Sequence, residues 1–125
     1  MPTSDELRSL IARYVATLNA RDPDAIAALF AEDAVQADPA SNPPNVGREA
    51  IGTFFAGSIE ASDGWTFSAP TVHTCGDHVA INFRIAVEAV GTTMIMSGIE
   101  VFAVDEAGLI ASVHAYWDEA DVSVT

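Results

Sequence analysis

The sequence predicts an α+β protein with three N-terminal helices packed on one face of a curved, mostly antiparallel sheet. Three observations predict it. Helix-start signals followed by apolar residues three and four apart fill the first half of the chain. Alternating apolar and polar residues rich in strand formers fill the second half, and Gly-containing turns divide those runs. At 125 residues, the chain is expected to form one domain, residues 1–125, which by general scaling buries about two thirds of its unfolded surface.

Thr3 and Glu6 form a T-x-x-E capping box, and Leu7, Leu10, Ile11, Tyr14, Val15 and Leu18 follow on one face of a first helix. Tyr14 therefore points inward. Asp22 caps a second helix with Pro23 at its first position, and Ile26, Leu29 and Phe30 supply its apolar face. Val35 to Asp38 reads as a short extended piece, because Pro39 biases Asp38 away from helical angles. The Pro-rich stretch 38–47 is a loop, and Arg48 to about Ile59 is a third helix that buries Ile51, Phe54 and Phe55.

Strands follow. Trp65–Ala69 is the first, and His78–Val90 alternates Val79, Ile81, Phe83, Ile85 and Val87 against Asn82, Arg84 and Glu88. MIMSGIEVFAV (94–104) reads as a strand buried on both faces, DEAG (105–108) as a hairpin loop, and LIASVHAYW (109–117) as the last strand.

The charge balance excludes some partners. Lys and Arg number 5 against 18 Asp and Glu, a formal charge of -13, and such a surface repels nucleic acid and anionic membranes. A neutral or cationic small molecule fits better. The single cysteine, Cys75, makes no intrachain disulfide, and the polar, acidic MPTSDEL start is unlike a signal peptide, so a cytoplasmic location is expected. The HTCGDH stretch (73–78) holds two histidines, a cysteine and an aspartate but reads as a hairpin turn rather than a metal site, and His114 has no identifiable catalytic partner.

Three residues stand out as candidates for chemistry. Glu100 sits in the apolar 94–104 strand; buried without a cation, its ionised form is disfavoured and it becomes a neutral hydrogen-bond donor. Tyr14 is a phenol on an apolar helix face, and Asp38 is an acid at the end of a short strand. Each also has a structural reading: an outward-facing strand residue for Glu100, a core tyrosine for Tyr14, a turn residue for Asp38. Gly98, Phe102, Met94 and Met96 share the face of Glu100, which leaves it no polar strip to join.

The stretches RYVATLNARD (13–22), DAIAALFAEDAVQADP (24–39), GREAIGTFF (47–55), GIEVFAVDEAGLI (98–110) and AYWDEADVSV (115–124) resemble steroid delta-isomerase, also called ketosteroid isomerase, of the nuclear-transport-factor-2-like superfamily. The resemblance covers nearly the whole chain. It implies a cone-shaped pocket, a homodimer and no cofactor or metal. It further implies that Asp38 carries a proton from carbon 4 to carbon 6 of a 3-oxo-Δ5-steroid, while Tyr14 and a protonated Glu100 donate to the 3-oxygen. Ketosteroid isomerase is itself a known case of an acid kept neutral by an apolar site, so that pattern is carried over by resemblance. For the pocket wall the resemblance suggests Phe55, Phe83, Val101 and Trp117, with the methionines besides.

The chain departs from the family pattern in two ways. Glu100 stands where the family more usually carries Asp, which adds a methylene to the donor arm. Phe55, and Phe30 in comparison with some members, stand where tyrosines would hydrogen-bond onward to the phenol. The alternatives to steroid isomerisation are a related polyketide or terpenoid cyclase or hydrolase using Asp38, and a protein that holds an apolar ligand without turnover.

Overall fold

The computed structural model describes residues 1–125. Thr3 caps helix α1 (Ser4–Ala20): its hydroxyl accepts from the Glu6 amide while the Glu6 carboxylate accepts from the Thr3 amide, so two otherwise orphaned helix-end donors are satisfied. Leu7, Leu10, Ile11, Tyr14 and Leu18 form its buried stripe. Asp22 caps α2 (Pro23–Ala27) by accepting from the Asp24 and Ala25 amides. The third helix, α3 (Arg48–Glu60), buries Ile51 and Phe55 and half-buries Phe54.

The second helix ends earlier than the sequence predicts. Phe30, expected on its apolar face, instead opens strand β1 (Phe30–Ala37), pairing in parallel with Ile110 of a later strand. The Leu29 carbonyl accepts from Ile110, and the Phe30 carbonyl accepts from Arg48 Nε at 2.9 Å. Those partners lie far along the chain, so they outweigh a local helical spacing that is otherwise satisfied. Phe30 is buried either way. Within the expected loop, Asn45–Val46 (β2) adds to β1 as an antiparallel partner.

The remaining strands are β3 (Gly64–Cys75), β4 (His78–Ala89), β5 (Thr92–Val104), β6 (Ile110–Tyr116) and β7 (Val122–Val124). They complete an open, curved seven-stranded sheet in the order β2-β1-β6-β5-β4-β3, with β7 paired to β5. Only the β1–β6 pairing is parallel. β3 outruns the predicted Trp65–Ala69 because it passes Pro70 through a register shift between Ser68 and Thr71, on an edge strand where a missing amide is tolerated. HTCGDH forms the β3–β4 turn around Gly76 and Asp77, with His78 Nδ1 2.7 Å from the Asp77 carboxylate. In the 105–108 turn, Asp105 accepts from the Ala107 and Leu109 amides.

β5 is not buried on both faces. Glu100, Phe102 and Val104 point to the helices and are buried, whereas Ile95, Ser97, Ile99, Val101 and Ala103 occupy the outer face and are half-buried or exposed. The helices cover one side of the sheet only, so composition misled where alternation decides. A cluster of 19 buried residues links α1, α2, α3 and the inner sheet face. No helix is long and apolar enough to cross a membrane.

Candidate active site

Where the helices leave the inner face of the sheet uncovered, the chain encloses an open cavity of about 780 Å³. Tyr14, Phe67, Phe83 and Glu100 lie at its buried end; Val87, Ala89, Thr92 and Val124 line it where side chains are half-buried or exposed. Strand pleating aims every second residue of β4 and β5 at this space, from Phe83 to Ala89 and from Glu100 back to Thr92. Gly98, between Glu100 and Met96, is required for close approach. A Cβ there would meet the Tyr116 carbonyl oxygen and stand 2.9 Å from Phe83 Cε2, so the Phe83 ring lies across the space that a side chain would take.

Glu100 is only 5% exposed. Its Oε2 accepts from the Tyr14 hydroxyl at 3.4 Å, a long bond, and its Oε1 has no hydrogen-bond partner in the protein. A buried carboxyl with an unpartnered oxygen and no neighbouring cation strongly disfavours ionisation. Burial, reinforced by the charge of Asp38 and opposed by the Tyr14 hydrogen bond, pushes Glu100 up to about 8. Burial and then the Glu100 charge likewise hold the Tyr14 phenol well above its ordinary value, so it stays protonated. The Tyr14 ring is fixed edge-on between Phe67 and Phe102, with centroids 5.8 and 5.0 Å away.

Asp38 follows the last residue of β1 and is half-buried on the cavity wall. Its Oδ1 accepts from the Trp117 indole Nε1 at 2.7 Å. Burial raises the Asp38 carboxyl, and the indole hydrogen bond lowers it by favouring the charged form. β1 and β6 set this contact: Ala37 registers with His114, and the Ala40 amide donates to the Ala115 carbonyl, which brings the chain ends after both strands together. The arrangement supplies a proton acceptor and two O–H donors around one apolar cavity.

Of the wall residues suggested from sequence, Phe55, Phe83 and Trp117 line the cavity, as do Met94 and Met96. Val101 does not. It neighbours Glu100 in sequence and therefore points to the opposite face, between Ala80 and His114 in register. Phe54, Trp65 and Phe67 also line the cavity and were missed, although alternation along 65–69 would have paired Trp65 with Phe67. Val122 and Val124 reach it from β7, whose three residues carry no strand signal of their own. The ring of Phe55 packs on Phe30 at 6.3 Å, and neither offers a hydroxyl to Tyr14.

A helix layer over one face of an open sheet, with an ionisable group at the buried end of the intervening cavity, defines a ligand-cavity protein of the nuclear-transport-factor-2-like fold, and the chain belongs to the SnoaL-like domain family, matched over residues 11–113. Within that class it is 33% identical over 122 residues, 98% of each chain, to the steroid delta-isomerase of Nocardioides simplex. Two solved structures share the fold over the full length of both chains at 24% identity. SalBIII, described as an epoxide hydrolase/cyclase-like enzyme in pyran ring formation in the polyether salinomycin, superposes with a TM-score of 0.91, and RV0760c of Mycobacterium tuberculosis with 0.89.

Proposed function

We propose that the protein is an isomerase that converts 3-oxo-Δ5-steroids to their 3-oxo-Δ4 isomers. The observation that carries this reading is the buried Tyr14–Glu100 pair with its unpartnered Glu100 oxygen, set in the same cavity as Asp38. Asp38, ionised, removes a proton from carbon 4; the electron pair moves through the carbonyl to place negative charge on the 3-oxygen. Tyr14 and protonated Glu100 donate to that oxygen, and in a dry cavity such preorganised donors stabilise charge as it develops. Protonated Asp38 then returns the proton to carbon 6, so no atom is gained or lost.

The long Tyr14–Glu100 bond suits this role, because a weak hydrogen bond is readily exchanged for one to a ligand oxygen. The aromatic and Met lining suits a rigid apolar ligand. A homodimer and a cytoplasmic location go with this reading. The outer face of β5, with Ile95, Ile99 and Val101, is apolar enough to receive a second copy.

The test is to mix the purified protein with 5-androstene-3,17-dione and follow the ultraviolet absorbance of the conjugated enone. Turnover abolished by Asp38→Asn with ligand binding retained supports the reading; Asp38→Asn at wild-type rate overturns the base assignment. A second reading, epoxide opening with cyclisation, is favoured by one observation: Glu100 is a neutral acid near pH 7, the proton donor that an epoxide oxygen needs. An epoxide substrate opened by the wild type but not by Glu100→Gln would favour it.

A further inference from the structure

Resting on the isomerase reading, we infer that the physiological substrate carries an aliphatic chain at carbon 17, a sterol enone rather than a 17-oxo steroid. The cavity is larger than the nucleus needs. A four-ring nucleus occupies on the order of 400 Å³ at interior packing density, against a cavity of about 780 Å³. The inward-facing row from Glu100 to Met94 extends about 20 Å at the strand rise, longer than the four fused rings alone. With the 3-oxygen at Tyr14 and Glu100, carbon 17 points along β4 and β5 toward Val87, Met94 and Val124.

The hydroxyl and indole donors on that far wall, of Ser58, Ser62, Thr92 and Trp65, are already engaged. The Ser58 hydroxyl donates to the Phe54 carbonyl at 3.1 Å and Ser62 to the Ser58 carbonyl at 2.9 Å. Thr92 donates to the Ala89 carbonyl at 2.7 Å, and the Trp65 indole to the Leu18 carbonyl at 2.8 Å. The Arg21 guanidinium donates to Ser62 and to the Ile59 and Ser62 carbonyls, and stacks over the Trp65 ring. Asn42, on the loop that follows Asp38 and Pro39, also lines the cavity and is exposed. A 17-carbonyl placed among these groups would lose its water without gaining a partner, whereas a hydrocarbon chain loses nothing. β7 completes the match. Val122 and Val124 pair with Met96 and Met94 and extend the apolar wall, and Val124 stays 65% exposed where a chain would cover it.

The experiment compares kcat/KM for cholest-5-en-3-one and 5-androstene-3,17-dione at matched free concentrations in cyclodextrin. The chain-bearing enone is expected to be favoured at least tenfold. Met94→Trp fills the far end and is expected to reduce that preference at least tenfold. Val124→Asp, on an exposed edge where folding is not at stake, places a charge beside the chain and is expected to reduce it several-fold. Equal or better turnover of the 17-oxo steroid overturns the inference and leaves the isomerase reading standing. A preference that survives both variants also overturns it, because the discrimination would then arise elsewhere. Turnover of neither steroid overturns both.

Discussion

The end of β1 and the middle of β5 each place a carboxyl group on the same cavity, and they treat it in opposite ways. Asp38 is half-buried and receives a 2.7 Å hydrogen bond from an indole, which favours the charged form. Glu100 is buried and accepts only a long bond from a phenol, with its second oxygen unpartnered. Burial raises both, but only Asp38 has a short hydrogen bond to oppose it. Two like groups are thereby given different surroundings, which in the proposed reaction makes one the base and the other the acid.

The strongest way to break this comparison is to remove the proposed base. Asp38→Asn is expected to lower kcat by at least about a hundredfold, since a positioned base contributes roughly 10² to 10⁴, while binding of a steroid phenol that mimics the dienolate, read by fluorescence titration, persists. Loss of binding together with turnover would instead assign Asp38 to holding the ligand.

Glu100→Ala, next in size, is expected to cost about 3 kcal/mol, on the order of a hundredfold in kcat, and Glu100→Gln less, because it keeps a donor. The pH profile sharpens the contrast. As Glu100 ionises near 8, wild-type activity is expected to fall on the alkaline side, and Glu100→Gln is expected to abolish that limb. The stability sign follows from the same shift. A carboxyl at 4.5 when unfolded and about 8 when folded holds its proton longer in the folded chain. Its favourable contribution is complete below about 4.5 and is lost as pH rises to 8. Denaturant titrations across that window should show a shallower decline in Glu100→Gln, and an unchanged slope would contradict the shift.

Gly98→Ala tests the packing that gives the Glu100 wall its shape. The added Cβ presses on Phe83 and the Tyr116 carbonyl, so a loss of about 2 kcal/mol is expected in denaturant unfolding; wild-type stability would mean that β5 yields easily. The smallest effect belongs to the Asp38 side. Trp117→Phe keeps a ring but removes the indole donor, so the Asp38 carboxyl rises and the acidic limb of the activity profile moves to higher pH, with a several-fold loss of rate near that limb. An unmoved limb would show that the indole only packs.

Much of this was legible before the fold was known, and the reasons are local. The capping box at Thr3 and Glu6 fixed where α1 begins, and the spacing after it turned Tyr14 inward. Alternation placed Phe83 inside, and the lack of a polar strip around Glu100 marked it as an acid in the wrong surroundings. What failed depended on distant partners. Phe30 was assigned to a helix because its parallel neighbour lies 80 positions away at Ile110, and β7 was missed because its strand character exists only against Met94–Met96. Val101 was misplaced for a different reason: the resemblance suggested it, while the same alternation that turns Glu100 inward sends it outward.

The sequence by itself determined the elements, the inward phenol and the presence of an acid among apolar residues, because capping and periodicity act within a few residues. Only the tertiary structure decided that Asp38 meets Trp117 and that Glu100 keeps an unpartnered oxygen. Each of those depends on atoms from separate strands and helices arriving within about 3 Å of one another, the reach of a hydrogen bond, and no local pattern encodes that meeting.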